Sequence, residues 1–189
     1  MSNAEYAFMS AYLKGAESQS VTADDVNRLS RTSSVADVME VIGGTEVGKY
    51  LESVAVKTFD DIDRYLWQYF SQCLERLDGL RLMPLDMRKV LDVYRVKYDI
   101  INIKAMLQTA LTGKQAYLIP IGVIHNRGLL DELSRAESTD RVISLLVECG
   151  LSAYASILRE YDMGAETKQR LRSESEMDEE YFKSLAETA

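Results

Sequence analysis

A chain of 189 residues with 47% apolar and 28% charged side chains can bury about 70% of its extended-chain surface and is too apolar to be disordered. Only 2 prolines and 10 glycines argue against a β-sandwich or barrel, which needs a turn signal every ~8–12 residues. A net charge of −8 makes the phosphate backbone of nucleic acid a poor partner.

Helical periodicity runs through the chain. Residues 4–18 read as a first helix, with Phe8, Ala11, Tyr12 and Gly15 on one side. Thr22 is the N-cap of the next, with Asp25 three residues on as a capping-box partner. Ser33 or Ser34 caps a short helix stopped at Gly43-Gly44, and Thr45 caps another that runs to about Val54. Thr58 opens a longer helix over 59–77, where Ile62, Leu66, Tyr69 or Phe70, Cys73 and Leu77 recur at helical spacing.

Pro84 stands where a first helical residue belongs, and Gly113 is the next natural stop. The helix between them is about 42 Å long at 1.5 Å per residue. At 100° per residue Val93, Val96, Ile100, Ile103, Leu107 and Leu111 form one apolar stripe, and Tyr94, Tyr98, Ile101 and Ala105 a second. Arg95, Asp99 and Asn102 lie between the stripes on one side, Lys97, Lys104 and Gln108 on the other. Two stripes predict a helix gripped from two sides, the central beam of a helical bundle. Asp99 and Asn102 share a side; they read either as a docking pair or as a polar seam, with Asp99 paired to Arg95 and Asn102 bonded to a neighbouring backbone group.

Residues 117–123, Tyr-Leu-Ile-Pro-Ile-Gly-Val, form a short apolar connector, and Pro120 favours a loop over a strand. Short helices are expected at 128–135, 138–149, 152–161 and 177–186, with a polar link over 164–176. An internal repeat joins the two ends of the chain. At an offset of 104, Leu29-Ser30-Arg31 meets Leu133-Ser134-Arg135, Ser34 meets Ser138, Val38 meets Val142 and Tyr50 meets Tyr154. The chain is therefore expected to hold one helical unit over 1–113 and part of a second over 114–189.

Charge is unevenly spread. Residues 1–80 carry 13 acids and 7 bases, 81–130 carry 3 acids and 8 bases, and 131–189 carry 14 acids and 7 bases. A basic middle between acidic ends means either internal complementarity or a docking face for an acidic partner. Cys73 and Cys149 sit in apolar helical patterns and read as buried reduced thiols, as in a cytoplasmic protein. The longest uncharged run, 115–126, contains Pro120 and is too short to span a bilayer. His125 is the single histidine and lacks the partners of a di-metal Glu-x-x-His pair, since residue 122 is Gly. No Gly-x-Ser-x-Gly, Gly-x-Gly-x-x-Gly or Walker motif is present. No catalytic residue, metal ligand or cofactor is expected.

The stretch from Tyr94 to Lys104, containing Asp99-x-x-Asn102-Ile103-Lys104, followed by Leu107 and by Ile119-Pro120-Ile121-Gly122, resembles the C subunit of A-type ATP synthases, whose vacuolar counterpart is the d subunit. Tyr6-Ala7-Phe8 and Tyr181-Phe182 are similar to the family as well. The resemblance implies an all-α fold built from three similar helical units in a funnel. It implies a non-catalytic part of a rotary ATPase, peripheral on the cytoplasmic face of the membrane. There it would link the proteolipid ring to the central stalk and couple proton or sodium transport to ATP synthesis or hydrolysis. Asp99, Asn102, Lys104, Pro120 and Gly122 are the family-motif residues, expected to be structural. Full-length members are far longer, so the resemblance implies a shortened or truncated member. The alternative is a helical scaffold or regulatory interaction module unrelated to ATPases.

Overall fold

The structure, a computed structural model, describes residues 3–114, 116–160 and 167–188, the side chains of 110, 111 and 167–170 excepted. Regular structure among the described residues is entirely α-helical, and the chain divides into two compact units, Met1–Pro84 and Leu85–Ala189.

The first unit holds α1 (Asn3–Glu17), α2 (Ala23–Leu29), α3 (Val35–Ile42), α4 (Glu46–Glu52) and α5 (Phe59–Asp78). Its helix starts follow cap chemistry. Thr22, Ser34, Thr45 and Thr58 each accept a hydrogen bond from the backbone N–H three residues on, which satisfies one of the donors that a helix start leaves open. Asp25 and Asp61 bond back to the cap residues and complete two capping boxes. The Thr22 amide holds the Asp25 carboxyl below its ordinary range, and the Lys57 amide, then the bonds to Thr58, do the same for Asp61. The small core centres on Ile42, Leu51 and Ile62, ringed by half-buried side chains such as Val38, Tyr50 and Tyr65. On α5 the inward side is that of Ile62 and Tyr65; Leu66, read from the sequence as part of the apolar face, is 39% exposed. Cys73 is only half-buried, because its side of α5 also carries Arg76, whose guanidinium donates to Sγ at 3.0 Å.

The second unit is built on α6 (Leu85–Thr112), an unbroken helix of 28 residues. Gly113 follows it at φ 67, a conformation that suits glycine at a helix end. After it come α7 (Val123–Asn126), α8 (Leu130–Ser134), α9 (Thr139–Glu148), α10 (Ser152–Arg159) and α11 (Thr167–Thr188). Both stripes of α6 are covered: Ile100, Ile103 and Leu107 are buried in one, Tyr98 in the other, with Ile101 and Ala105 half-buried. Leu111, the last position of the first stripe, lies outside the described side chains. One large cluster joins the first stripe to Ile124 of α7, Leu133 of α8, Leu145 of α9, Leu158 of α10 and Met177 of α11.

The grip on α6 exceeds the two sides read from its stripes. The polar strip between them is as deeply buried as the apolar positions, with Arg95 at 6% and both Asp99 and Asn102 at 0% exposure. The expected link over 164–176 is also corrected, since α11 begins at Thr167. Its first turns are rich in strong helix formers, Arg172 pairs with Glu176 one turn on at 2.8 Å, and Ser173 is buried. The rest of that link, 164–166, and the end of the predicted 152–161 helix lie outside the described residues. No described helix is long and apolar enough to cross a membrane.

Candidate functional site: a polar seam on the long helix

Asp99 and Asn102 stand one turn apart on α6, and the connector lies along them. Asn102 bonds to both backbone groups of one residue, Ile119. Its Nδ2 donates to the Ile119 carbonyl at 2.9 Å, and the Ile119 N–H donates to its Oδ1 at 2.7 Å. Four residues further on, the Val123 N–H donates to Asp99 Oδ2 at 2.8 Å and the Ile124 N–H to Asp99 Oδ1 at 3.0 Å. The two side chains thus supply the partners that a buried, non-helical backbone lacks. Each buried polar group left open would cost about 1–3 kcal/mol. The pairing of Asp99 with Arg95 read from the sequence gives way to these backbone bonds, and the Arg95 guanidinium lies 3.7 Å from Asp92. The backbone bond read for Asn102 is present.

Pro120 and Gly122 shape the connector for this contact. Pro120 has no N–H to satisfy, and around it the Ile121 N–H closes a tight turn onto the Ile119 carbonyl at 2.8 Å. Gly122 has φ 120, outside what L side chains adopt readily, and it abuts the Asp99 carboxylate. A Cβ there would come within 2.3 Å of Oδ1 and 2.6 Å of Cγ. Glycine is therefore required twice over, by backbone conformation and by space. Four of the five family-motif residues meet in this seam. Lys104 does not: it lies on another side of α6 and binds Asp178 of α11 at 2.6 Å.

Burial sets the electrostatics. Loss of water pushes the Asp99 carboxyl up to about 7, and the Val123 and Ile124 amides pull it the other way without prevailing. Tyr98, one residue before, is buried with its hydroxyl 2.9 Å from that of Tyr94, and burial first, then this contact, raises its ionisation well above the phenol range.

Sequence reasoning missed several supporting contacts. Thr109 Oγ1 accepts the Ala116 N–H at 3.3 Å, at the start of the connector. Arg127 donates to the Glu148 carbonyl at 2.6 Å, near the end of α9. The Tyr94–Tyr98 pair was legible as an i,i+4 spacing; the other two span a loop and leave no periodic trace. His125 lies within α7, half-buried beside the seam. In the first unit a concavity of about 680 Å³ is lined by Glu46, Lys49, Tyr50, Tyr69 and Arg76 among others. Its charges answer one another: Glu46 takes the Tyr69 hydroxyl at 3.1 Å and has Arg76 at 3.8 Å. Among the described residues no group of three or more His, Cys, Asp and Glu is placed to hold a metal ion.

A long helix with an apolar connector locked to it through Asp-x-x-Asn is an arrangement that holds shape. Comparison with known proteins agrees with the resemblance. The model of the family described as ATP synthase (C/AC39) subunit matches residues 9–189, and the chain belongs to that family. It is 28% identical over 200 residues to the A-type ATP synthase C subunit of Methanocaldococcus jannaschii, an alignment that covers 98% of this chain and 47% of that one. The chain thus spans about half the length of the curated relative it matches. No solved structure matches it.

Proposed function

We propose that this chain is a non-catalytic central-stalk component of a rotary A/V-type ATPase. In this reading it seats the central stalk on the membrane proteolipid ring, on the cytoplasmic face and without crossing the bilayer, and so couples proton or sodium transport to ATP synthesis or hydrolysis. The observation that carries the reading, beside family membership, is α6 with its seam: 28 unbroken helical residues held on three sides. A part that transmits torque has to resist bending, and a buried network of satisfied polar groups fixes one arrangement of packed elements more sharply than apolar contact alone. By the repeat, we read residues 1–113 as one helical unit of the family architecture and 114–189 as part of a second, a division of the sequence distinct from the compact units, since α6 packs with the elements that follow it.

The test is assembly. Tagged chain mixed with purified proteolipid ring and central-stalk proteins should recover both, and a variant of the seam such as Gly122→Ala should recover less. Recovery of neither partner by the folded chain would contradict the proposal.

A further inference from the structure

We propose that the concavity between α4 and α5 of the first unit is a docking groove for one helix of a partner protein, a helix of the α6 kind with an apolar stripe flanked by acid on one side and base on the other. The repeat carries this assignment, whatever the assembly role. α9 begins at Thr139, 104 residues after Val35 at the start of α3. At that offset α8, α10 and α11 fall on α2, α4 and α5, in order. The same set of four helices thus occurs twice. In the second unit it shares a core with α6; among the described residues, the first-unit core draws only on α2 to α5 and the loops beside them.

Burial marks the face that α6 covers. Val142, Leu145, Tyr154 and Met177 lie between 0% and 5% exposure, in one cluster with Ile100 and Leu107 of α6. Their counterparts at the same offset, Val38, Val41, Tyr50 and Cys73, are all half-buried. The concavity of about 680 Å³ opens beside Tyr50, bounded by Tyr69 and Arg76 of α5 and by Gln19. Gln19 is the counterpart of Val123, where the connector meets α6.

Charge fixes the kind of helix. In the second unit Lys104, on one flank of α6, binds Asp178 of α11. Asp99, on the other flank, lies close enough to Tyr154 of α10 for its charge to act on that phenol. A base thus faces the α11 wall and an acid the α10 wall. On the corresponding walls of the concavity stand Glu75 of α5 and Lys49 of α4. Glu46 and Arg76 answer one another at 3.8 Å, but among the described residues neither Glu75 nor Lys49 has an ion-pair partner. A helix laid in the groove as α6 lies in the second unit brings its basic flank to Glu75, its acidic flank to Lys49 and its stripe to Tyr50 and Tyr69. An aromatic floor with a charged rim is suited to an amphipathic helix.

The probe is a synthetic peptide of residues 88–109, the α6 sequence, titrated into the isotope-labelled whole chain. Saturable amide shifts are expected at Gln19, Lys49, Tyr50 and Tyr69. With the peptide at about ten times its Kd, alkylation of Cys73 should slow about tenfold, and that of buried Cys149 should not change. A peptide carrying Ile100→Asp and Ile103→Asp should do neither. Lys49→Glu in the chain should weaken binding about fivefold, as loss of an exposed ion pair does, and Asp99→Lys in the peptide should restore it. Absence of shifts at about 1 mM peptide would overturn the proposal, as would shifts centred on Leu145 and Tyr154, equal binding by the Ile100→Asp, Ile103→Asp peptide, or failure of the exchanged charge pair to restore affinity. Protection of Cys73 that rises with chain concentration alone would put a second copy in the groove and overturn it too. Each result is independent of whether the chain recovers the ring and the stalk.

Discussion

Ser34 and Ser138 cap α3 and α9 in the same way, each accepting the N–H three residues on. Yet Val38 behind the first is half-buried, while Val142 behind the second is sealed at 0% exposure. Tyr50 and Tyr154, matched at the same offset, differ likewise: Tyr50 is half-buried and Tyr154 is 5% exposed. Local chemistry sets where these helices begin; the depth of their burial depends on what they pack against. In the second unit α9 and α10 share one core with α6 and α11. In the first, α3 and α4 close over a core of three buried residues. A repeated sequence can thus form the same helices with unequal contributions to stability.

Changes in the second unit should therefore cost most, beginning at the seam. Gly122→Ala forces a side chain into the Asp99 carboxylate at a φ that L residues avoid, and should destabilise the second unit by about 4 kcal/mol in urea unfolding. Leu107→Ala empties a position 1% exposed and should cost about 2–5 kcal/mol; an unchanged midpoint would remove the stripe from the core. Val142→Ala should cost about 2 kcal/mol and Val38→Ala under about 1, read as amide exchange in α9 and α3. Equal losses would erase the contrast between the units. Ser138→Ala and Ser34→Ala should each cost about 1 kcal/mol, and nearly the same, because a cap is a local device. A cap effect much larger in one unit would mean that Ser there does more than start a helix.

The sequence showed the helices more clearly than it showed the seam. The caps at Thr22, Thr45 and Thr58, and the choice of Ser33 or Ser34 that the structure settles on Ser34, were legible because a hydroxyl before an apolar-periodic run has a short-range mechanism. The long helix was legible from its stripes and from Pro84 and Gly113. The four residues of α7 were not, since its start relies on Asp99, 24 residues earlier in the chain. The polar strip of α6 looked like a boundary between two buried faces because periodicity counts apolar residues, whereas Asp99 and Asn102 are bonded to a connector distant in the chain. The helical opening turns of α11 were read as a link because their composition is polar, although helix propensity was present in Lys168, Gln169, Arg170, Leu171 and Arg172. Gly122 was singled out by family resemblance; its reason, the space taken by a carboxylate from another element, belongs to the packed structure.

The claim beneath the rest is that the connector is bound to α6 by the seam and moves with it as one body. Hydrogen exchange at the Ile119 amide, donated to Asn102 Oδ1, tests this most directly at pH 5. The account predicts protection within about tenfold of that at Leu107 on α6, both requiring the same cooperative opening. Exchange at Ile119 near the rate of an unstructured peptide, with Leu107 still protected, would contradict it.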